Sequence, residues 1–362
     1  MVENRPTLDR VAAAAGVSRM TVSNAYNRPD QMSATTRQHV LRVAASLGYS
    51  GPDPAGRSLR RRRAGTIGVL LTEQLPYAFS DPGLVSFLQG VATELRDAGQ
   101  AMLLLPAEGN QQYSLVRNAL VDGFIVASLA PRDQAVLDVV QRRLPLVTWG
   151  NLRLPGVPRV GVDNTKAAQL AGKHLLGLHH QRFGVITFGA GKIPEDAKSP
   201  EEEMPDADTA AAFDVPGTHL VMRQRVIGFR RALADAGIAA DAVRVIDASA
   251  NSRKAGEQAM NELLIGPHPP TAVFGVTDVL ALGALASAAK AGIDVPGDVS
   301  VVGFDDIDDA ARSTPPLTTV AQGLLDQGRC AARLVLDAVA GGDTPVPQIR
   351  ADLVIRASTR AI

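Results

Sequence analysis

From Leu8 onward the apolar residues fall at helical intervals. Leu8, Val11, Ala12 and Ala15 line one face, Thr7 stands where a cap belongs, and Gly16 breaks the run. Ser18 can cap a second helix that ends near Tyr26, where Asn27, Arg28 and Pro29 form a stop. A third follows the cap at Ser33, with Val40, Leu41, Ala44 and Leu47 expected inward and Gly48 as its stop. Small Ala12 and Ala15 permit close helix contact, while Val17 and Val22 pin the second helix to the first. Two short helices joined through a tight glycine turn make a helix-turn-helix. Ser18, Arg19, Met20, Thr21, Ser23 and Asn24 are left largely outward, on a face short enough for the major groove of duplex DNA.

Beyond Thr66 the pattern changes. Apolar runs at 67–71, 101–105, 123–126, 146–148, 184–187, 272–274 and 299–304 read as buried strands. Amphipathic stretches between them, such as 84–98, 166–178, 226–236 and 279–291, read as helices. Such alternation predicts parallel sheets with right-handed crossovers. The length suits two doubly wound parallel-sheet lobes with a ligand cleft at the carboxyl ends of their strands. The expected organisation is an all-α head over 1–50, a hinge or linker over 51–64 and an α/β body of two lobes over 65–362. Helices 84–98 and 279–291 are the expected faces for pairing with a second copy.

Composition narrows the function. Of 362 residues, 46% are hydrophobic and 20% charged, which is globular rather than disordered. No apolar run approaches the roughly 18 residues that a membrane span needs. The opening MVENRPTLDR has no apolar core of the secretory kind, so a cytoplasmic place is expected, with no membrane partner. The lone Cys330 excludes an internal disulfide. A net charge of zero conceals an asymmetry: residues 1–63 carry 11 Arg against 4 acids, and the remainder 26 Lys and Arg against 33 acids. A basic head on an acidic body points one end of the molecule at a polyanion.

Several chemistries fail on spacing. Gly189-Ala190-Gly191-Lys192 lacks the first glycine of a phosphate loop, and Ile193 stands where Ser or Thr belongs. Asp305, Asp306, Asp308 and Asp309 lack the glycine and closing glutamate of a calcium loop, so a solvated turn is expected there. His179 and His180 are adjacent rather than four apart, which is poor zinc geometry for a helix. No Ser/His/Asp set has recognisable context, so no enzyme activity and no cofactor are expected. A solute-binding transport protein would account for the body but predicts an export signal and no basic head. A nucleotide-using enzyme predicts the missing glycine loop.

The stretch TLDRVAAAAGVSRMTVSNAYN, followed by SATTRQHVLRVAASLGY, resembles the lactose/galactose repressor (LacI/GalR) family. So do Val162-Asp163-Asn164, His174-Leu175, Arg225-x-x-Gly228-Phe229, ALGAL, SVVGFDDID, TPPLTTV and Arg356-x-Ser358-Thr359, so the likeness runs nearly end to end. It implies a periplasmic-binding-protein-like body and a homodimeric regulator of transcription, a repressor on a near-palindromic operator. By the family pattern Arg19, Met20 and Asn24 fall at base-reading positions, and Ser18, Thr21, Ser23, Asn27, Gln31, Ser33 and Thr36 at phosphate-contacting ones. Pro52-Asp53-x-Ala55-x-Arg57-Ser58-Leu59 is similar to the family's hinge helix, in which Arg57 and Ser58 lie at the minor groove and Leu59 wedges into it. An interior Gly56 costs such a helix about 1 kcal/mol relative to Ala, so the hinge is expected to order only on DNA. Arg225 and Asp278 match the residues that bind a small polar effector, sugar-like or nucleoside-like. Thr72, Tyr77, Phe79, Asp163, Asn251 and Leu324 are further candidates, Asn251 standing where sugar-binding members place a stacking aromatic. The stretch 189–218 reads as an insertion beside the cleft.

Overall fold

Side-chain caps set the helix starts of the first unit. The computed structural model describes residues 6–51, 63–72, 74–107, 112–127, 133–190 and 220–362, which fall into two units, Met1–Gly65 and Thr66–Ile362. In the first, α1 (Leu8–Ala15) starts with Thr7 Oγ1 accepting from Arg10 N at 3.4 Å and ends at Gly16, whose φ of 62° is left-handed and favours a residue without Cβ. Ser18 caps α2 (Arg19–Asn27) by accepting from Thr21 N at 3.1 Å, and Ser33 caps α3 (Ala34–Ser46) by accepting from Thr36 N at 3.1 Å. The core is Val11, Ala12, Ala15, Val22, Ala25, Val40 and Ala44, with Val43 and Leu47 packed against it. Leu41, expected inward, lies outside that cluster. The inward row of α3 is 40, 43, 44 and 47, and a residue one step from Val40 is turned about 100° off it.

The second unit holds two lobes. In the first lobe, β1 (Thr66–Leu71), β2 (Ala101–Pro106), β3 (Gly123–Ala127), β4 (Leu146–Trp149) and β5 (Arg159–Val160) form a parallel sheet of order β2-β1-β3-β4-β5. In the second, β6 (Phe183–Phe188), β7 (Val243–Ala248), β8 (Ala272–Gly275), β9 (Ser300–Asp305), β10 (Thr318–Ala321) and β11 (Asp352–Val354) are ordered β11-β10-β9-β8-β6-β7, with only the β10/β11 pair antiparallel. Around these sheets lie α4 (Leu75–Ala78), α5 (Pro82–Asp97), α6 (Gln112–Asn118), α7 (Gln134–Gln141), α8 (Asn164–Gly177), α9 (Leu220–Asp235), α10 (Arg253–Leu264), α11 (Asp278–Ala291), α12 (Asp308–Arg312) and α13 (Leu324–Ala340). Strands β5, β7, β10 and β11 were not expected from the sequence. They are short or carry polar residues, and buried Thr318 and Thr319 give β10 no apolar run.

The last helix changes lobes. Ala331, Ala332, Leu334 and Val335 of α13 complete the first lobe's core beside Ile67, Val69, Phe87 and Val147. Glycines make this possible: a Cβ on Gly90 would overlap Leu325 O, and one on Gly328 would overlap Phe87 O, so α5 and α13 touch backbone to backbone. Among the described residues the chain therefore crosses between the lobes three times: after β5, before α13 and after α13. Helix α11 packs into its own lobe, with Leu280, Ala281, Leu282, Gly283, Ala284, Leu285 and Ala288 buried against α10 and the sheet, and leaves Ala289, Lys290 and Ala291 exposed.

Candidate functional site

Two groups of residues follow from this framework, one in each unit. On the head, Arg19 and Met20 stand exposed at the start of α2, Met20 at 68%. Thr21, Ser23, Asn24 and Asn27 are half-buried along the helix, and Gln31 and Ser33 are exposed beyond it. Ser18 and Thr21 share a hydrogen at 2.8 Å, which leaves one of their two hydroxyl hydrogens for an outside acceptor, while Ser33 is hydrogen-bonded to the hydroxyls of both Thr36 at 2.8 Å and Thr35 at 3.0 Å. Asn27 Nδ2 donates to Ser23 O at 3.0 Å, so its amide already braces the helix. Arg19 Nε lies 3.5 Å from the Asp9 carboxylate. A brace invisible in the sequence comes from Arg37 on α3, whose Nε donates to Ala25 O at 3.1 Å and puts a cation by the C-terminal end of α2. The hinge residues Arg57, Ser58 and Leu59 lie outside the described residues.

In the body, Arg225 projects from α9 onto the carboxyl ends of β8 and β9. Its Nε donates to Asn164 Oδ1 at 3.0 Å, and one terminal nitrogen donates to Val276 O at 2.7 Å and Asp305 Oδ1 at 3.1 Å. The guanidinium sits 3.7 Å from the centre of the Phe304 ring. Burial lowers the Arg225 pKa, and Asp305, Asp278 and Asp81 act against that by favouring the charge. Asp305 also accepts from Gln322 Nε2 at 2.6 Å, and burial raises its pKa to about 6 although Arg225 pulls the other way. It is thus no part of a solvated turn, as its acidic neighbours had implied. Asp306 pairs with Arg356 at 2.6 Å, while Asp308 and Asp309 are exposed.

Asp278 is the first residue of α11 and is fully buried. Thr319 Oγ1 donates to its Oδ1 at 2.5 Å and Ile307 N to its Oδ2 at 2.9 Å. Burial, then the Asp305 charge, raises its pKa to about 7. The helix cap is Thr277, which accepts from Leu280 N at 3.3 Å, so Asp278 does not serve as the cap and its two oxygens are taken by Thr319 and Ile307.

Of the other expected residues, Tyr77 and Asn251 join this group through Asp81. Tyr77 Oη donates to Asp81 Oδ2 at 2.8 Å, and Asn251 Nδ2 donates to the same oxygen at 2.9 Å. Leu324 is buried at the start of α13 beside Gly83. Thr72 donates to Ala127 O at 3.3 Å, and Asp163 caps α8 and pairs with Lys166 at 2.9 Å. Phe79 is 68% exposed and is not gathered with them. Sequence reasoning missed Asp81, Asp305, Gln322 and the pair Asn151–Gln224 at 2.5 Å. Only Asp81 carried a local signal, an N-cap before Pro82. The described residues hold no group of three or more metal-ligating side chains, and none of their helices is long and apolar enough to cross a membrane.

Comparison with known proteins agrees with both halves. The family model described as bacterial regulatory proteins, lacI family, matches residues 7–51, and that of a periplasmic binding protein-like domain matches residues 173–359. The chain is 37% identical over 362 residues to the HTH-type transcriptional regulator Rv3575c of Mycobacterium tuberculosis, covering 98% of this chain and 97% of that one. It is 34% identical over 370 residues to the HTH-type transcriptional repressor CytR of Escherichia coli, covering 99% and 98%. The structure of the transcriptional regulator CelR in complex with cellobiose matches it with a TM-score of 0.63 at 30% identity, covering 98% of this chain and 100% of the other.

Proposed function

We propose a function from one premise: the chain belongs to the lacI family of bacterial regulatory proteins. Within it, the protein is a sequence-specific repressor that binds a near-palindromic operator as a homodimer in the cytoplasm, on the nucleoid, and answers to a small polar effector in the cleft between its lobes. The observation that carries this reading is the exposed ridge of Arg19 and Met20 on a helix braced from both sides. Arginine can pair with both acceptors of guanine, asparagine with adenine, and Met20 can meet a thymine methyl. Hydroxyls at Ser18, Thr21, Ser23, Ser33 and Thr36 and the amides of Asn27 and Gln31 then set register on the phosphates. Arg57, Ser58 and Leu59 take the minor groove in the same proposal.

The effector half rests on Arg225, Asp278 and their neighbours at the strand ends, where polar groups converge in a cleft. CelR was solved with cellobiose, and CytR is named a repressor; both descriptions fit this reading. Two-fold pairing of subunits calls for a two-fold operator. A ligand that favours one lobe arrangement shifts DNA affinity, and DNA shifts ligand affinity by the same factor.

Titration of the chain against promoter duplexes and bulk DNA tests the proposal. Arg19→Ala and Asn24→Ala should each remove about 1–3 kcal/mol of discrimination at one base pair. Unchanged base preference in both variants would refute the assignment of α2.

A further inference from the structure

Side chains of the two lobes meet directly across the cleft. From the first lobe, Asp81 presents Oδ1 to Leu84 N at 2.8 Å, which caps α5, and Oδ2 to the Tyr77 hydroxyl at 2.8 Å. From the second lobe, Asn251 Nδ2 reaches the same Oδ2 at 2.9 Å and the Tyr77 oxygen at 3.2 Å. The orientation of the Asn251 amide follows from its other neighbour. Thr277 Oγ1 already accepts from Leu280 N, so its own hydrogen is available for Asn251 Oδ1, 2.7 Å away. With the amide oxygen turned to Thr277, the amide hydrogens face Asp81.

The bridge works against an electrostatic cost. A Cβ built on Gly83 would lie 3.2 Å from Asp81 Oδ1 and 4.0 Å from Asp305 Oδ2, so one first-lobe acid and one second-lobe acid are held on either side of the same glycine. The raised pKa of Asp305 has Asp81 among its causes. Like charges so placed oppose the approach of the lobes, and the donors that offset them are Arg225 and Gln322 at Asp305, and Asn251 and Tyr77 at Asp81. Among the described residues, Asn251 is the one donor to Asp81 that comes from the opposite lobe. A second contact, Asn151 Nδ2 to Gln224 Oε1 at 2.5 Å, also spans the lobes, one residue from Arg225.

The geometry points to Asn251 as a built-in latch: through Asp81 it holds the two lobes together by the protein's own side chains, in a cleft where an effector would otherwise be the bridge. Asn251 is then a positioning residue, and an effector closes or opens the body by competing for Asp81. That consequence rests on the reading of this cleft as the effector site. The latch itself is tested with neither effector nor DNA.

The test uses the full chain in a Cys330→Ser background, with spin labels at Arg96→Cys on the first lobe and Lys254→Cys on the second, both exposed positions. Pulsed dipolar spectroscopy of the free protein, with the labelled chain diluted in an excess of unlabelled chain so that each pair of spins lies within one subunit, should give one narrow interlobe distance. Asn251→Ala should shift part of the population to longer distances, and Asn251→Asp, which sets carboxylate against carboxylate without changing size, should shift more. Combining Asp81→Asn with Asn251→Asp exchanges amide and carboxylate and should bring the narrow distance back. Circular dichroism melting confirms that each variant is folded. A native distribution as broad as that of Asn251→Asp, or a swapped pair that stays open, overturns the latch. Operator discrimination by the unsubstituted chain is measured separately, so a negative result here leaves the regulator reading standing.

Discussion

In the head, Arg19 and Met20 stand in solvent on a helix held by seven small buried side chains; in the body, Arg225 and Asp278 lie inside the protein, each hydrogen-bonded to it already. The two regions keep their polar groups ready in opposite ways. A surface that must meet a polyanion is partnered by water and by near neighbours, such as Asp9 beside Arg19, so its residues cost the fold little. Buried charges must be satisfied internally, so the residues proposed to meet a ligand also hold the lobe together. A variant on the head can therefore be read as a binding effect, whereas one in the cleft mixes binding with stability.

That contrast can be broken most sharply at Arg225. Arg225→Ala leaves Asp305 and Asp278 buried without their cation, and should cost the body about 3–5 kcal/mol. Trp149, the chain's one tryptophan, lies in the body, so its fluorescence follows that unit alone in a urea titration. An unchanged Trp149 midpoint would mean that the cleft charges carry no structural load.

A pH effect sharpens the same point. Because the Asp278 carboxyl is raised to about 7 when folded, the native body holds that proton more tightly than the unfolded chain does. Its contribution is complete below the ordinary carboxylate range near pH 3.8 and is lost as pH rises towards 7. The Trp149 melting temperature should fall between about pH 4 and pH 7, and Asp278→Asn, which can still meet Ile307 N and Thr319, should flatten that fall. A fall of equal slope in the variant assigns the titration elsewhere.

The smallest effect belongs to the head. Ser18→Ala removes the α2 cap and should cost about 1 kcal/mol of head stability. It should weaken all DNA sequences alike and leave the Trp149 transition unmoved. A change in base preference would place Ser18 among the readers.

The head was legible because its determinants are local. Caps at Thr7, Ser18 and Ser33 and the break at Gly16 each lie within four residues of what they control, and each stands where the pattern puts it. Leu41 was misplaced, through a neighbour's phase, and Thr21, Ser23 and Asn24, expected outward, are half-buried. In the body, the strongly apolar strands could be read, but β10 is built on buried threonines and α13 belongs to a lobe that ended about 160 residues earlier in the chain. Asp305 looked solvated beside Asp306, Asp308 and Asp309 because nothing nearby announces Arg225, its partner from α9. Arg225 and Asp278 themselves came from resemblance to a family, and their hydrogen bonds from the fold.

The placement of α13 has a consequence for biosynthesis. As the chain leaves the ribosome, the head can finish folding soon after its three helices emerge, since its core cluster draws on residues between Leu8 and Tyr49. The first lobe emerges next yet lacks Ala331, Ala332, Leu334 and Val335 until translation is nearly over. Its sheet must wait, with Val69, Phe87 and Val91 on the side that α13 will cover, while all of the second lobe but β11 and the residues after it is made. A nascent chain arrested before residue 324 would thus carry a finished DNA-reading head tethered to an unfinished body, the stage at which this protein has most need of a chaperone.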